Sequence, residues 1–136
     1  MRRALMDTSG IYAFVARTDP EHTAALNFTK KWLARSGTFV LLDWVFIETM
    51  TLLKRKISTS VTLSIGRELR QNPLYQWTTL GPQGERETWA MFQKYDDKEW
   101  SYTDCGLLVM SRRLKVSEVF SFDEHFKQMP GITRLP

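Results

Sequence analysis

The chain has 136 residues, 43% of them hydrophobic and 25% charged, with a formal net charge of +4. This is ordinary globular usage, and it excludes a disordered or coiled-coil chain. One cysteine, Cys105, and two separated histidines, His22 and His125, exclude an internal disulfide or a multi-cysteine zinc site and fit a reducing cytoplasm.

The first predicted element is a short buried strand, Ala4-Leu5-Met6, ending at Asp7, with a helical patch following at Ser9 to Val15. Because Arg2 and Arg3 precede only this short apolar stretch, no signal peptide is expected. Asp19-Pro20-Glu21 reads as a helix start with Asp19 as N-cap, and that helix should run to Arg35 before Gly37. Thr38 to Leu42 is a β-rich run, after which Asp43 can cap a helix from Trp44 to about Lys56. The apolar run from Phe39 to Ile47 contains Asp43 and falls far short of the ~20 residues a membrane helix needs, so no spanning segment is expected.

Ser58 or Ser60 opens the next helix, which Asn72-Pro73 breaks. Leu74 to Leu80 has strand composition, and Gly81-Pro82 leads into a helix over Gln83 to Tyr95. A helix over Ser101 to Leu114, a strand over Val119 to Phe122 and a short strand over Ile132 to Leu135 complete the chain. Strands separated by helical segments imply β-α-β units. We therefore expect a single α/β domain over residues 1–136, a three-layer α/β/α sandwich around a mainly parallel sheet.

Four acids fall at strand ends or in apolar helices: Asp7, Glu48, Asp104 and Asp123. Ligands of open α/β sheets bind beyond the carboxyl ends of the strands, where Asp7 and Asp123 would both project. Glu48 lies in the helix WVFIETMTLLKRK with Trp44, Val45 and Leu52 a turn away, so its carboxylate is expected to be surrounded by hydrocarbon and to face a cation. Each acid also has a purely structural explanation. Ser101–Asp104 and Ser121–Glu124 have capping-box spacing, Asp123 can be an N-cap, Asp7 can end a strand in a turn, and Glu48 can pair with Arg55.

The set changes the weighing. Two carboxylates about 5 Å apart at an effective dielectric near 20 repel by roughly 3 kcal/mol, a penalty that a divalent cation reverses. Oxygen-only ligation by Asp and Glu suits Mg²⁺ or Mn²⁺, ions that commonly act on phosphate esters. A small basic excess is compatible with a polyanionic substrate.

In order along the chain, LMDTSG with Asp7 and Ser9, VFIE with Glu48, SYTD with Asp104 and SFDEHF with Asp123 resemble the PIN-domain ribonucleases, and among them the VapC-type toxins of toxin-antitoxin pairs. The resemblance implies a Mg²⁺- or Mn²⁺-dependent endoribonuclease whose metal is held by Asp7, Glu48, Asp104 and Asp123. Ser9, Thr103 and Ser121 would support the carboxylates or the metal's waters. It further implies RNA as substrate, a cognate antitoxin and a homodimer. A non-catalytic RNA-binding or protein-interaction module of the same fold is the alternative. The haloacid dehalogenase type is disfavoured because Asp7-Thr8-Ser9 lacks D-x-D.

Neighbouring residues are read as structural. Asp96, Asp97 and Glu99 form a solvated loop, His22 is a surface side chain, His125 is structural with a substrate contact two residues past Asp123 as the alternative, and Cys105 is a small packed residue. Basic residues at Arg2, Arg3, 54–56, Arg112, Arg113 and Lys115 are available to a nucleic-acid backbone, although several end helices whose dipoles favour cations anyway. Among the tryptophans, Trp100 beside the charged loop is expected to be the most exposed.

Overall fold

A computed structural model describes residues 2–136. Strand β1 (Arg3–Met6) leads into helices α1 (Thr8–Val15) and α2 (His22–Ala34), and β2 (Thr38–Leu42) into α3 (Asp43–Lys56) and α4 (Thr59–Gln71). Strand β3 (Tyr75–Thr78) is followed by α5 (Gly81–Lys94) and α6 (Tyr102–Leu114). Then come β4 (Glu118–Phe120), the short α7 (His125–Gln128) and β5 (Thr133–Leu135).

The five strands lie in the order β3-β2-β1-β4-β5, and every pairing is parallel. This order reverses direction at β1. Right-handed crossovers therefore place α1 to α4 on one face of the sheet and α5 to α7 on the other, the expected three-layer sandwich. Apolar side chains such as Leu5, Phe39, Leu41, Leu107 and Phe120 fill the space between layers at no more than 1% exposure. Continuous burial on both faces explains why the strands read as apolar runs rather than alternating ones. Helix α6 is the most enclosed, buried from Thr103 through Ser111.

Several boundaries differ from expectation. Asp19 does not cap α2: its Oδ1 accepts the Glu21 N–H at 2.8 Å in a tight turn, and the helix begins at His22. An Asp before Pro can satisfy that turn itself, which delays the helix. Ser58, not Ser60, caps α4, accepting from Val61 N at 3.1 Å. Trp100 is buried at 4% exposure, with its ring against Tyr95 and its Nε1 donating to Gln128 at 3.1 Å. The most open indoles are Trp77 and Trp89, at 40% and 54%. No helix among the described residues is long and apolar enough to cross a membrane.

Candidate active site

Asp7 immediately follows β1, and its backbone N–H continues the sheet by donating to Phe120 O of β4 at 3.0 Å. Because Met6 pairs with Phe120, the residues just beyond these two strands, Asp7 and Ser121, are neighbours at the carboxyl edge where the strand order reverses. This is the crevice that open α/β sheets use for ligands. Close approach of α1 to β4 depends on Gly10, where a Cβ atom would stand 2.7 Å from Phe120 O.

The Asp7 carboxylate is buried at 6% exposure and caps α1. Its Oδ2 accepts from Ser9 Oγ at 2.7 Å, Ser121 Oγ at 2.8 Å and Ser9 N at 3.4 Å. Each hydroxyl in turn accepts a backbone N–H, Ser9 from Phe122 at 3.0 Å and Ser121 from Asp123 at 2.9 Å. Ser121 is thus committed to Asp7 rather than to a capping box with Glu124, whose helix start makes no side-chain cap.

Asp104 lies at the start of α6, again at 6% exposure. Its Oδ2 accepts from Ser101 N at 2.9 Å while Ser101 Oγ accepts from Asp104 N at 3.0 Å, so the capping box is real. The same Oδ2 also lies 3.0 Å from His125 Nδ1. Asp123 Oδ1 accepts from His125 N at 2.9 Å and sits 3.4 Å from His125 Nδ1. Ligand atoms of Asp104, Asp123 and His125 fall within 4.8 Å of one another. His125 is therefore half-buried among the acids, not a free surface side chain, and only its place two residues after Asp123 hinted at this.

A regularity runs through the three aspartates. One oxygen of each is held by the protein, whereas Oδ1 of Asp7, Oδ1 of Asp104 and Oδ2 of Asp123 receive no hydrogen bond from the described residues. All three residues line a cleft of about 410 Å³, together with Glu48, Tyr12 and Leu52.

Glu48 corrects the expectation of a buried carboxylate facing a cation. It is exposed, accepts one hydrogen bond from Thr8 Oγ1 at 3.2 Å, and forms no ion pair among the described residues. Helix α3 buries Val45, Thr49 and Leu53, which leaves the Ile47–Glu48 side to solvent. Thr103 is buried in α6 but joins none of the carboxylates by a hydrogen bond among the described residues, its inward position being set by helix phase. The donors that reach the aspartates are Ser9, Ser121, Ser101 N and His125.

Charge and burial act together here. Burial above all pushes the Asp7 carboxyl up from 3.8 to about 6; the Ser9 and Ser121 hydrogen bonds pull it down, and the Asp104 and Asp123 charges push it further up. For His125, burial disfavours the imidazolium, but the Asp104 hydrogen bond and the charges of Asp123, Asp104 and Glu99 outweigh it and raise its pKa. His22 lies outside this network, with Nδ1 2.8 Å from Ala13 O. Asp96, Asp97 and Glu99 are exposed, as their charged run predicts.

A parallel sheet with helices on both faces and acids gathered at its switch point defines an open α/β protein, a class that binds ligands at that edge. The chain belongs to the PIN domain family, whose model matches residues 4–132. Among solved structures it is similar to VapC20 of Mycobacterium tuberculosis, a sarcin-ricin loop cleaving toxin. The TM-score is 0.87 at 20% identity, over 98% of this chain and 99% of that one. VapBC2 of Rickettsia felis, solved bound to a DNA fragment from its promoter, matches at TM-score 0.69 and 9% identity, over 97% of this chain and 96% of that one. FitAcB of Neisseria gonorrhoeae matches at 0.68 and 11%, over 98% and 96%. These likenesses establish the fold. No curated protein sequence matches the chain.

Proposed function

We propose that the protein is a divalent-metal-dependent endoribonuclease of the VapC type, with Asp7, Asp104 and Asp123 holding Mg²⁺ or Mn²⁺ and Glu48 contributing from the cleft wall. The observation that carries this reading is the divided use of the three aspartates, each with one oxygen tied back and the other without a protein donor. Three such carboxylates on one cleft repel one another, and a cation held between them offsets that repulsion. The donor set fits the ion: hard carboxylate oxygens with no thiolate among them suit Mg²⁺ or Mn²⁺. When bound, such an ion lowers the pKa of a coordinated water and neutralises charge developing on the scissile phosphate.

The chain's own groups set the conditions for that chemistry. Ser9 and Ser121 hold Asp7 by Oδ2, which leaves Oδ1 as the ligand atom, and Asp7 must lose its proton before it can serve. The Ser101–Asp104 capping box fixes the second carboxylate on the rigid start of α6. Glu48, exposed to solvent and loosely held, can turn toward a water or a substrate hydroxyl across the cleft. The wall residues Tyr12 and Leu52 limit access to the acids.

RNA as substrate is supported by the likeness to VapC20, a sarcin-ricin loop cleaving toxin, together with the family assignment, and an antitoxin as partner by the resemblance to VapC-type toxins. The homodimer implied by the resemblance belongs to the same proposal, and sedimentation at several protein concentrations tests it. The decisive experiment is cleavage of a mixed RNA pool by purified protein with Mg²⁺ or Mn²⁺, alongside EDTA and the Asp104→Asn and Asp7→Asn variants. Discrete cuts that vanish in all controls are expected. A folded Asp104→Asn protein that still cuts would overturn the assignment, and metal-independent RNA binding without turnover would establish the binding module.

A further inference from the structure

We infer that His125 is a positioning residue that sets the spacing between two of the proposed metal-binding carboxylates; the inference rests on the metal-dependent reading above. Among the described residues, His125 alone contacts both acids, with Nδ1 3.0 Å from Asp104 Oδ2 and 3.4 Å from Asp123 Oδ1. Its backbone N–H also donates to Asp123 Oδ1 at 2.9 Å. A carboxylate offers only acceptors, so Nδ1 carries the proton and donates whether the ring is neutral or charged.

The other hydrogen bonds to Asp104 are local. The capping box ties it to Ser101, three residues away, while His125 ties it to the turn after β4. That turn is itself anchored, since Phe126 is fully buried beside His125. The start of α6 and the end of β4 thus meet through one imidazole. Asp104 and Asp123 line the cleft but His125 does not, and its side chain retains 30% exposure. The bonds it makes engage the oxygens opposite those left bare. This is the arrangement by which an outer hydrogen-bond partner orients a metal ligand.

The test is Mn²⁺ binding by calorimetry, with steady-state RNA cleavage measured beside it, on wild type, His125→Leu, His125→Asn and His125→Gln. An Asn amide nitrogen can stand close to where Nδ1 is, whereas Gln moves it one bond outward. Removing such a partner typically weakens metal binding about 10–100-fold, so His125→Leu should lose Mn²⁺ affinity on that scale. Its kcat should fall with KM for RNA unchanged, His125→Asn should recover most of the loss, and His125→Gln should recover little. Thermal unfolding identifies any variant that fails to fold, and the Asn–Gln contrast then carries the test.

Wild-type Mn²⁺ affinity in His125→Leu would overturn the inference and leave the nuclease reading standing. A raised KM with unchanged Mn²⁺ binding would make His125 a substrate contact instead. Loss of Mn²⁺ affinity in both Asn and Gln variants would require the imidazole itself, as a ligand, and would also overturn positioning. Wild type that binds no Mn²⁺ would bring down both readings.

Discussion

On one side of the cleft Asp7 and Asp104 are buried, each with one oxygen fixed by two or more donors; on the other, Glu48 stands in solvent on α3 with a single hydrogen bond from Thr8. The fixed side belongs to the carboxyl edge of the sheet and to α6, the most enclosed helix, whose start is held by the Ser101–Asp104 capping box. The free side belongs to a helix that buries only one stripe. Acids that must hold a geometry are placed on rigid elements, and the acid that can move is placed where movement is cheap. The buried side carries an electrostatic cost for its rigidity, visible in the Asp7 carboxyl raised to about 6.

Asp7→Asn should break this contrast most sharply. In cleavage assays the loss should exceed a hundredfold, beyond what removal of a mere supporting partner causes. Stability of the metal-free protein should move the opposite way. The folded pKa of about 6 lies above the ordinary 3.8, so the folded state binds the Asp7 proton more tightly than the unfolded one. The resulting penalty is absent well below pH 4, grows as pH rises between about 4 and 6, and is complete above that. A shift of about two units corresponds to up to roughly 3 kcal/mol. Asp7→Asn should therefore melt higher than wild type at pH 7.5 without metal and nearly equally at pH 4, and saturating Mn²⁺ should reverse the order at pH 7.5. Equal melting of the two proteins at both pH values would mean that Asp7 bears no such cost.

Gly10→Ala tests the scaffold behind the same side. The added methyl would lie 2.7 Å from Phe120 O and 3.1 Å from its ring, and a carbonyl in a central strand cannot step aside. Helix α1 must shift, drawing Ser9 away from Phe122 N and Ser121. A loss of about 1–3 kcal/mol is expected from such overpacking, checked by denaturant unfolding. Ser121→Ala is gentler. It removes one donor to Asp7 Oδ2 and the acceptor of Asp123 N, and it should weaken Mn²⁺ binding about 10–100-fold with little change in fold.

The fixed side was more legible in the sequence than the free one. Strand–Asp is a local pattern, and the parallel order that joins two such strands follows from alternating elements, so Asp7 and Asp123 are legible together from the residues, whereas Ser121 enters only with the family resemblance, its spacing to Glu124 otherwise reading as a capping box. Ser101–Asp104 illustrates a false opposition: the spacing reads as a capping box or as a site, and the structure makes Asp104 both a cap and a wall of the cleft. The outward turn of Glu48 is not legible in the sequence because apolar residues on either side do not fix helix phase; Val45, Thr49 and Leu53 take the core, and the carboxylate is turned outward. The bond from His125 to Asp104 is not legible in the sequence because the two are 21 residues apart, a contact set by tertiary packing rather than by spacing. Trp100 was misplaced for a related reason, its charged neighbours being exposed while its ring packs on Tyr95.

The smallest effect expected is the one that best separates the two sides. Glu48→Gln keeps the size and the acceptor for Thr8 but removes the charge, and because Glu48 is exposed its unfolding free energy should stay within about 0.5 kcal/mol of wild type. Mn²⁺ binding, set by the buried aspartates, should change little. Cleavage should still slow, by about tenfold, less than the roughly 10²–10⁴-fold that a fully engaged proton-transfer group contributes. A hundredfold loss of Mn²⁺ affinity would instead make Glu48 an equal ligand and show that α3 closes on the metal. If cleavage were unaffected, the three fixed aspartates alone would suffice, and α3 would serve only as a wall.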